Sequence, residues 1–307
     1  MILVLDCNYL CFRAYWTTGR QLENGTVYGF LSTLQSLRAK FAPDRIVFCF
    51  DGGGTNLRRI EYPEYKRGKV RKDGWDEDRE NVHYQIVKLQ SNILPALGFR
   101  NVFWRNGYEA DDVIASICKT EFSRYQGDGL DGPIIIVSAD HDLYQLLEDD
   151  RIRMYEPSKD LLLDAAGFRE QWGIEPRLWP NVKALAGCRS DNIPGVGGVG
   201  EKTAAKYLAR SDVASERIYK VRMKVRDKID LVKFNLRLVR LPWAGIGDFQ
   251  IKEDEATGGR WREWCERNKM LSLIRERKSQ WTPSKQSATS SVRKRKGGTP
   301  SMSPSSQ

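Results

Sequence analysis

The acidic residues of this chain recur in a pattern that could hold divalent cations. Asp6 closes the apolar run 2–5, Asp51 follows 46–50, Glu109, Asp111 and Asp112 follow 102–104, and Asp140 and Asp142 follow 134–137. Any one of them alone reads as a turn residue or a helix cap, and 109–112 alone as the acidic first turn of the helix carrying Val113, Ile114 and Ile117. Recurrence after four runs changes that reading. If the runs are strands of a parallel sheet, their ends share one edge, where open α/β sheets place their sites. Seven carboxylates gathered there would repel one another unless protons or cations neutralise them. An all-oxygen set suits Mg²⁺ or Mn²⁺, and two histidines in the whole chain argue against a zinc centre. Two such ions about 3.5–4 Å apart form a standard device for phosphodiester hydrolysis.

The elements that must position these acids are legible in outline. The four runs are continuous Ile, Val and Phe stretches, which suit strands buried on both faces, and 27–41 and 82–97 are long enough for crossover helices. Beyond about residue 160 the pattern turns helical, with helices expected over 178–186, 202–208, 229–239 and 261–274. The fold class is therefore α/β, a largely parallel central sheet with flanking helices, plus a helical C-terminal region. The expected division is a core over 1–175, a helical region over 176–281 and a disordered basic tail over 282–307, where Ser, Thr, Pro, Gly and Lys/Arg replace apolar residues. There is no solenoid-type repeat, and 127–132 and 257–259 read as surface loops.

Composition narrows the class of function. Net charge is +10, and the tail's five cations (Lys285, Arg293, Lys294, Arg295, Lys296) leave +5 for the body, a surplus that fits a polyanionic partner. The tail cluster reads as a solvated or DNA-tethering segment in preference to a nuclear targeting signal. The six cysteines form neither a CxxC pair nor a Cys/His cluster, so reduced thiols in a cytoplasmic protein are expected. The first ten residues lack a basic start and carry Asp6 within the apolar run, so no secretory signal is expected, and no apolar stretch approaches the roughly 20 residues of a membrane span.

Two further segments point to nucleic acid. Arg58, Arg59, Tyr62, Tyr65, Lys66, Arg67, Lys69, Arg71 and Lys72 stand against Glu61 and Glu64, combining phosphate pairing with aromatic stacking; read alone, this could be a solvated loop. Gly195-Val196-Gly197-Gly198-Val199-Gly200 formally matches the dinucleotide fingerprint, but Asn192-Ile193-Pro194 precedes it where a buried strand is required. Nor is Gly200-Glu201-Lys202-Thr203 a Walker motif, because Glu201 separates glycine from lysine. A glycine turn leading into a helix remains, able to offer backbone N–H groups, Lys202 and Thr203 to a phosphate.

Taken in order, the motifs resemble the 5′ nuclease and flap endonuclease family, which includes phage enzymes and the 5′ nuclease domain of bacterial DNA polymerase I. The resemblance spans residues 1 to about 242. It rests on Phe50-Asp51-Gly52, Tyr62-Pro63-Glu64-Tyr65-Lys66, Glu109-Ala110-Asp111-Asp112, Ser138-Ala139-Asp140-His141-Asp142 and Ser190-Asp191-Asn192-Ile193-Pro194-Gly195. It implies a metal-dependent 5′-to-3′ exonuclease and flap endonuclease of DNA replication or repair, in a phage or bacterial context. Asp6, Asp51, Glu109 and Asp111 would surround one metal, and Asp112, Asp140, Asp142 and Asp191 would serve a second or its waters. Lys66 and Asp111 would be catalytic, with Tyr65 stacking on a terminal base. An arch would span about 57–80, with Tyr65, Arg67 and Lys69 touching DNA. A helix-three-turn-helix at about 180–210 would hold duplex DNA through Gly195, Gly197, Gly198, Gly200, Lys202 and Thr203, together with a K⁺ ion.

One position departs from the family pattern: Cys188 stands where an aspartate is usual, three residues before Asp191. A neutral thiol is a poor ligand for a hard cation, so weaker second-metal binding is expected. Lys69 stands where an arginine is common. The implied partners are DNA with 5′ ends, flaps or nicks, RNA/DNA hybrids and replication proteins, with the chain a monomer. Two other readings stay open: a branch-binding DNA protein with weakened catalysis, which Cys188 would support, and a PIN-type ribonuclease, which the glycine turn argues against.

Overall fold

Alternate residues of each apolar run must be buried on opposite sides if the strands lie inside the molecule. The computed structural model, which describes residues 1–20, 22–67, 75–124, 132–211 and 215–274, has this arrangement. Strands β1 (Ile2–Asp6), β2 (Arg45–Cys49), β3 (Val102–Phe103), β4 (Ile134–Val137), β5 (Ile152–Glu156) and β6 (Leu161–Leu163) form one sheet in the order β3-β2-β1-β4-β5-β6. All neighbours pair parallel except β6, which closes the edge antiparallel to β5. Ile2, Val4, Val47, Cys49, Ile134 and Ile136 face one apolar layer, and Leu3, Leu5, Ile46, Phe48, Ile135 and Val137 face the other. Helix Ala110–Arg124 covers the first layer through Val113, Ile114 and Ile117, while helices Cys7–Ala14, Gly25–Phe41 and Trp75–Lys88 cover the second. Burial on both faces is why these strands show no polar alternation.

Register sets the strand ends level. Asp6 lies opposite Cys49, Leu5 opposite Val137, and Cys49 opposite Phe103, so the residues leaving β1, β2, β3 and β4 emerge along one edge.

Several expected boundaries shift. β3 ends at Phe103, and Trp104 lies beyond it, 45 % exposed. The helix expected over 82–97 starts at Trp75 and passes through a wide turn, Leu89–Ile93, to Ala96. β5, β6 and helices Ala165–Trp172 and Glu216–Asp227 carry too short or too polar a pattern to stand out in the sequence. Helices Trp179–Ala186, Glu201–Leu208 and Ile229–Val239 lie where helices are expected, whereas the expected helix over 261–274 divides into Gly258–Arg267 and a short turn, Leu271–Ile274. This last stretch packs on the core: Trp261, Cys265 and Leu273 join the second apolar layer, and Gln35 donates to Leu273 O at 2.7 Å. It therefore associates with the α/β sheet rather than with the helices before it. Residues 282–307 and Lys69, Arg71 and Lys72 lie outside the described residues.

Candidate metal centre

Each rim acid is held by the element that begins where its strand ends. Asp6 caps helix Cys7–Ala14, its Oδ1 accepting from Tyr9 N at 3.0 Å, while Oδ2 accepts from Ser138 Oγ at 2.7 Å. Ser138 also accepts from Asp140 N at 3.1 Å, so one hydroxyl ties the ends of β1 and β4 together. Asp51 accepts from Asn8 Nδ2 and from Ala110 N, both at 2.8 Å, which joins the ends of β1 and β2 to the start of helix Ala110–Arg124. Asp140 caps the short helix His141–Glu148 by accepting from Asp142 N at 2.8 Å. Asn8 has no chemical signature of its own in the sequence, and only its place beside Asp6 could have flagged it, whereas Ser138 opens the motif 138–142 with no role assigned to it there.

Glu109 sits among positive and polar groups. It accepts from Tyr65 Oη at 2.8 Å and from Lys66 Nζ at 2.5 Å. Burial would raise its pKa, but Lys66 and Arg58 outweigh that and hold it below the ordinary carboxylate range. Asp111 projects into the same cleft as Lys66, Glu109, Asp140, Asp142 and Asp191.

The rim resists full ionisation without a cation. Burial, with smaller contributions from Asp51 and Asp140, pushes the Asp6 carboxyl up to about 7. Burial also raises Asp111, and Asp140, Asp6 and Glu109 raise it further. These oxygen donors fit a hard divalent cation, whose charge would replace the protons such groups otherwise retain.

Two expected roles are not met. Asp112 is fully buried and faces away from the cleft: its Oδ2 receives Arg58 Nη1 at 2.6 Å, its Oδ1 receives Arg58 Nη2 at 2.8 Å, and Trp243 N donates to Oδ1 at 2.7 Å. An acid so occupied belongs to a buried ion pair, not to a metal site. Tyr65 is 4 % exposed, packed with Ala184, Cys188, Ile193, Leu238 and Val239, so its ring has no free face for a base. Its hydroxyl serves Glu109 instead.

At the far end of the cleft, Asp142, Cys188 and Asp191 bring ligand atoms within 4.8 Å of one another. Burial raises the Cys188 thiol, which donates to Asp191 Oδ2 at 3.2 Å. Lys183, a residue with no motif to mark it, pairs with Asp142 Oδ1 at 3.0 Å. Its one signal is a lysine among the apolar residues Val182, Ala184 and Leu185.

The glycine turn joins helix Trp179–Ala186 to helix Glu201–Leu208. A Cβ on Gly195 would lie 2.1 Å from Ala186 O, so this glycine is required for packing. Gly197 and Gly200 have open space around them, and Gly198 takes φ +80°. Lys202 is exposed, whereas the buried Thr203 accepts from Arg217 Nη2 at 3.1 Å. Lys224 Nζ donates to Gly197 O at 2.9 Å. In the basic segment after helix Leu57–Glu61, Arg67 is exposed and paired with Glu64.

Comparison with known proteins agrees with this architecture. A profile described as the 5′-3′ exonuclease N-terminal resolvase-like domain matches residues 1–173, and one described as the 5′-3′ exonuclease C-terminal SAM fold matches 174–243. The chain is 34 % identical over 224 residues to a 5′-3′ exonuclease of Streptomyces coelicolor, covering 67 % of this chain and 71 % of that one. It is 30 % identical over 246 residues to DNA polymerase I of Caldicellulosiruptor bescii, covering 76 % of this chain and 27 % of that one. The chain thus spans about a quarter of the length of the polymerase relatives it matches. Among solved structures, the T5 D15 protein co-crystallised with metal ions shares the fold with a TM-score of 0.64 at 22 % identity, covering 78 % of this chain and 89 % of that one. The catalytic core of Rad2 in complex with DNA substrate gives 0.54 at 15 % identity, covering 89 % and 90 %. No helix among the described residues is long and apolar enough to cross a membrane. With both profiles matching in sequence over 1–243, this chain belongs to the 5′-3′ exonuclease family.

Proposed function

We propose that this chain hydrolyses DNA phosphodiesters at 5′ ends and at single-strand/duplex junctions, as a divalent-metal-dependent 5′ nuclease. The observation that carries this is the meeting of Glu109, Asp111 and Asp140 with Lys66 in one cleft, beside Asp6 and Asp51 at the same sheet edge. Asp6, Asp51, Glu109, Asp111 and Asp140 would hold Mg²⁺ or Mn²⁺, with Asp142 and Asp191 marking a second position of positive charge. Divalent cation bound there would neutralise the phosphodiester and lower the pKa of its attacking water.

The chain's own groups supply the remainder. Lys66, released from Glu109 as phosphate enters, places its ammonium against the charge that grows in the transition state. Ser138 and Asn8 fix the carboxylates before substrate arrives, so little reorganisation accompanies the reaction. Arg67, Lys69, Lys202 and the open glycines Gly197 and Gly200 contact the phosphate backbone, which positions DNA without reading its sequence. K⁺ at the glycine turn belongs to the same reading, as do a helix-three-turn-helix there, a core over 1–175, a monomeric cytoplasmic protein of phage or bacterial origin, RNA/DNA hybrids as substrates and replication proteins as partners.

The test is cleavage of a labelled 5′-flap duplex and a matching nicked duplex with Mg²⁺, Mn²⁺ or chelator, beside an Asp111→Ala control. Metal-dependent cutting that disappears in the variant supports the reading, and product length separates exonuclease from flap cleavage. Tight branch binding with no cutting under any metal overturns it in favour of a non-hydrolysing DNA-binding protein.

A further inference from the structure

One end of the acidic cleft is backed by a buried cation, which pairs with the lining residue Asp142. Lys183, on helix Trp179–Ala186, is 8 % exposed, and its ammonium lies 3.0 Å from Asp142 Oδ1 and 3.2 Å from Glu201 Oε1. Across the group, Lys66 Nζ lies 3.9 Å from Asp191 Oδ1. A buried ammonium is costly unless carboxylates surround it, and here two do. Lys183 is thus built into the cleft wall by its helix, between Val182 and Ala184, both fully buried.

The donors left at this end do not suit a hard dication. Mg²⁺ takes near-octahedral oxygen ligands at about 2.0–2.1 Å. Asp142, Cys188 and Asp191 offer two carboxylates and a thiol, and the thiol already engages Asp191 and lies 2.8 Å from Ser190 Oγ. A dication placed among them would also meet the Lys183 charge in a region of low dielectric, where like charges repel most strongly. At the other end Glu109 pairs with Lys66, which is 43 % exposed and able to withdraw, and at 3.4 Å with the buried Arg58, whereas among the described residues Asp6, Asp51 and Asp111 carry no such ion pair.

We propose that the Lys183 ammonium takes the place of one of two divalent cations, so that the chain holds a single tightly bound ion beside Asp111 and balances Asp142 and Asp191 with its own lysine. Lys183 is a positioning residue that fixes charge without touching the reacting atoms. The proposal deepens the nuclease reading and rests on it, since only there does a second cation position have a use.

Counting bound Mn²⁺ on the full chain by calorimetry, with free Mn²⁺ followed by electron paramagnetic resonance, tests it. Wild type should bind about one ion per chain tightly, Lys183→Arg should keep that count, and Lys183→Met combined with Cys188→Asp should raise it to about two. The dependence of cleavage rate on Mn²⁺ should steepen in the same double variant. Two ions of comparable affinity in wild type overturn the proposal, and so does a folded double variant that still binds one. If the double variant does not fold, the wild-type count decides. Flap cleavage by wild type is read in parallel: one bound ion without cutting removes the nuclease reading while leaving the count intact, whereas cutting with two ions removes the lysine substitution alone.

Discussion

Arg58 and Asp112 form a two-pronged ion pair, at 2.6 and 2.8 Å, between residues that are 3 % and 0 % exposed. The guanidinium also donates to Leu238 O at 2.9 Å and stacks 5.1 Å over the Trp243 ring. It thereby ties helix Leu57–Glu61 to helix Ala110–Arg124, which starts beside Glu109, and to helix Ile229–Val239. Arg58→Ala leaves a buried carboxylate without its partner and should lower stability by about 3–5 kcal/mol. Urea unfolding checks this, and Arg58→Met with Asp112→Leu should recover only part of the loss, because Trp243 N and Glu109 N then lose their acceptor. An unchanged midpoint in Arg58→Ala would mean the pair ties nothing.

Ser138 orients rather than binds. Ser138→Ala removes its bond to Asp6 and the acceptor for Asp140 N. Divalent-metal affinity should fall about 10–100-fold, with cleavage restored at saturating metal. A superimposable metal titration would show that Asp6 is positioned by its helix cap alone.

The raised carboxyls predict how pH and metal act together. Asp6 shifts from an ordinary 3.8 to about 7, so between those values the metal-free folded state binds more protons than the unfolded one. Its contribution to stability is therefore complete below about pH 4 and is lost as pH rises through about 7, by at most about 4 kcal/mol. Divalent cation replaces the missing protons. The increase in melting temperature given by Mg²⁺ or Mn²⁺ should be larger at pH 8 than at pH 6. An increment independent of pH would mean that Asp6 titrates in its usual range.

Tyr65 distinguishes a core side chain from a stacking platform. Tyr65→Ala should cost about 3–5 kcal/mol of stability, as aromatic truncations in cores do. Tyr65→Phe keeps the packing, loses the bond to Glu109, and should weaken metal binding while leaving DNA affinity unchanged. A Tyr65→Ala protein of full stability that binds single strands less tightly would restore the stacking role.

The sequence by itself determined the sheet and most of its rim. Runs such as Ile2 to Leu5 have one low-energy fate, burial on both faces, and an acid directly after such a run emerges at the sheet edge. The places of Asp6, Asp51, Glu109, Asp111 and Asp140 along that edge were accordingly legible, because parallel pairing follows from the crossover lengths whatever the strand order, and the order itself, β3-β2-β1-β4-β5-β6, came only from the structure. Asp112 was not, since one residue of helix rotation turns it from Asp111's cleft into Arg58's ion pair, and the packing of Ile229–Val239 and Trp243 decides that rotation. Tyr65 and Lys183 were hidden for the same reason. A tyrosine within a basic stretch and a lysine within an apolar helix declare their chemistry, but their partners, Glu109 and Asp142, lie 44 and 41 residues away in the chain. Charge pairing across such distances depends on which surfaces meet, and only the tertiary structure settles that.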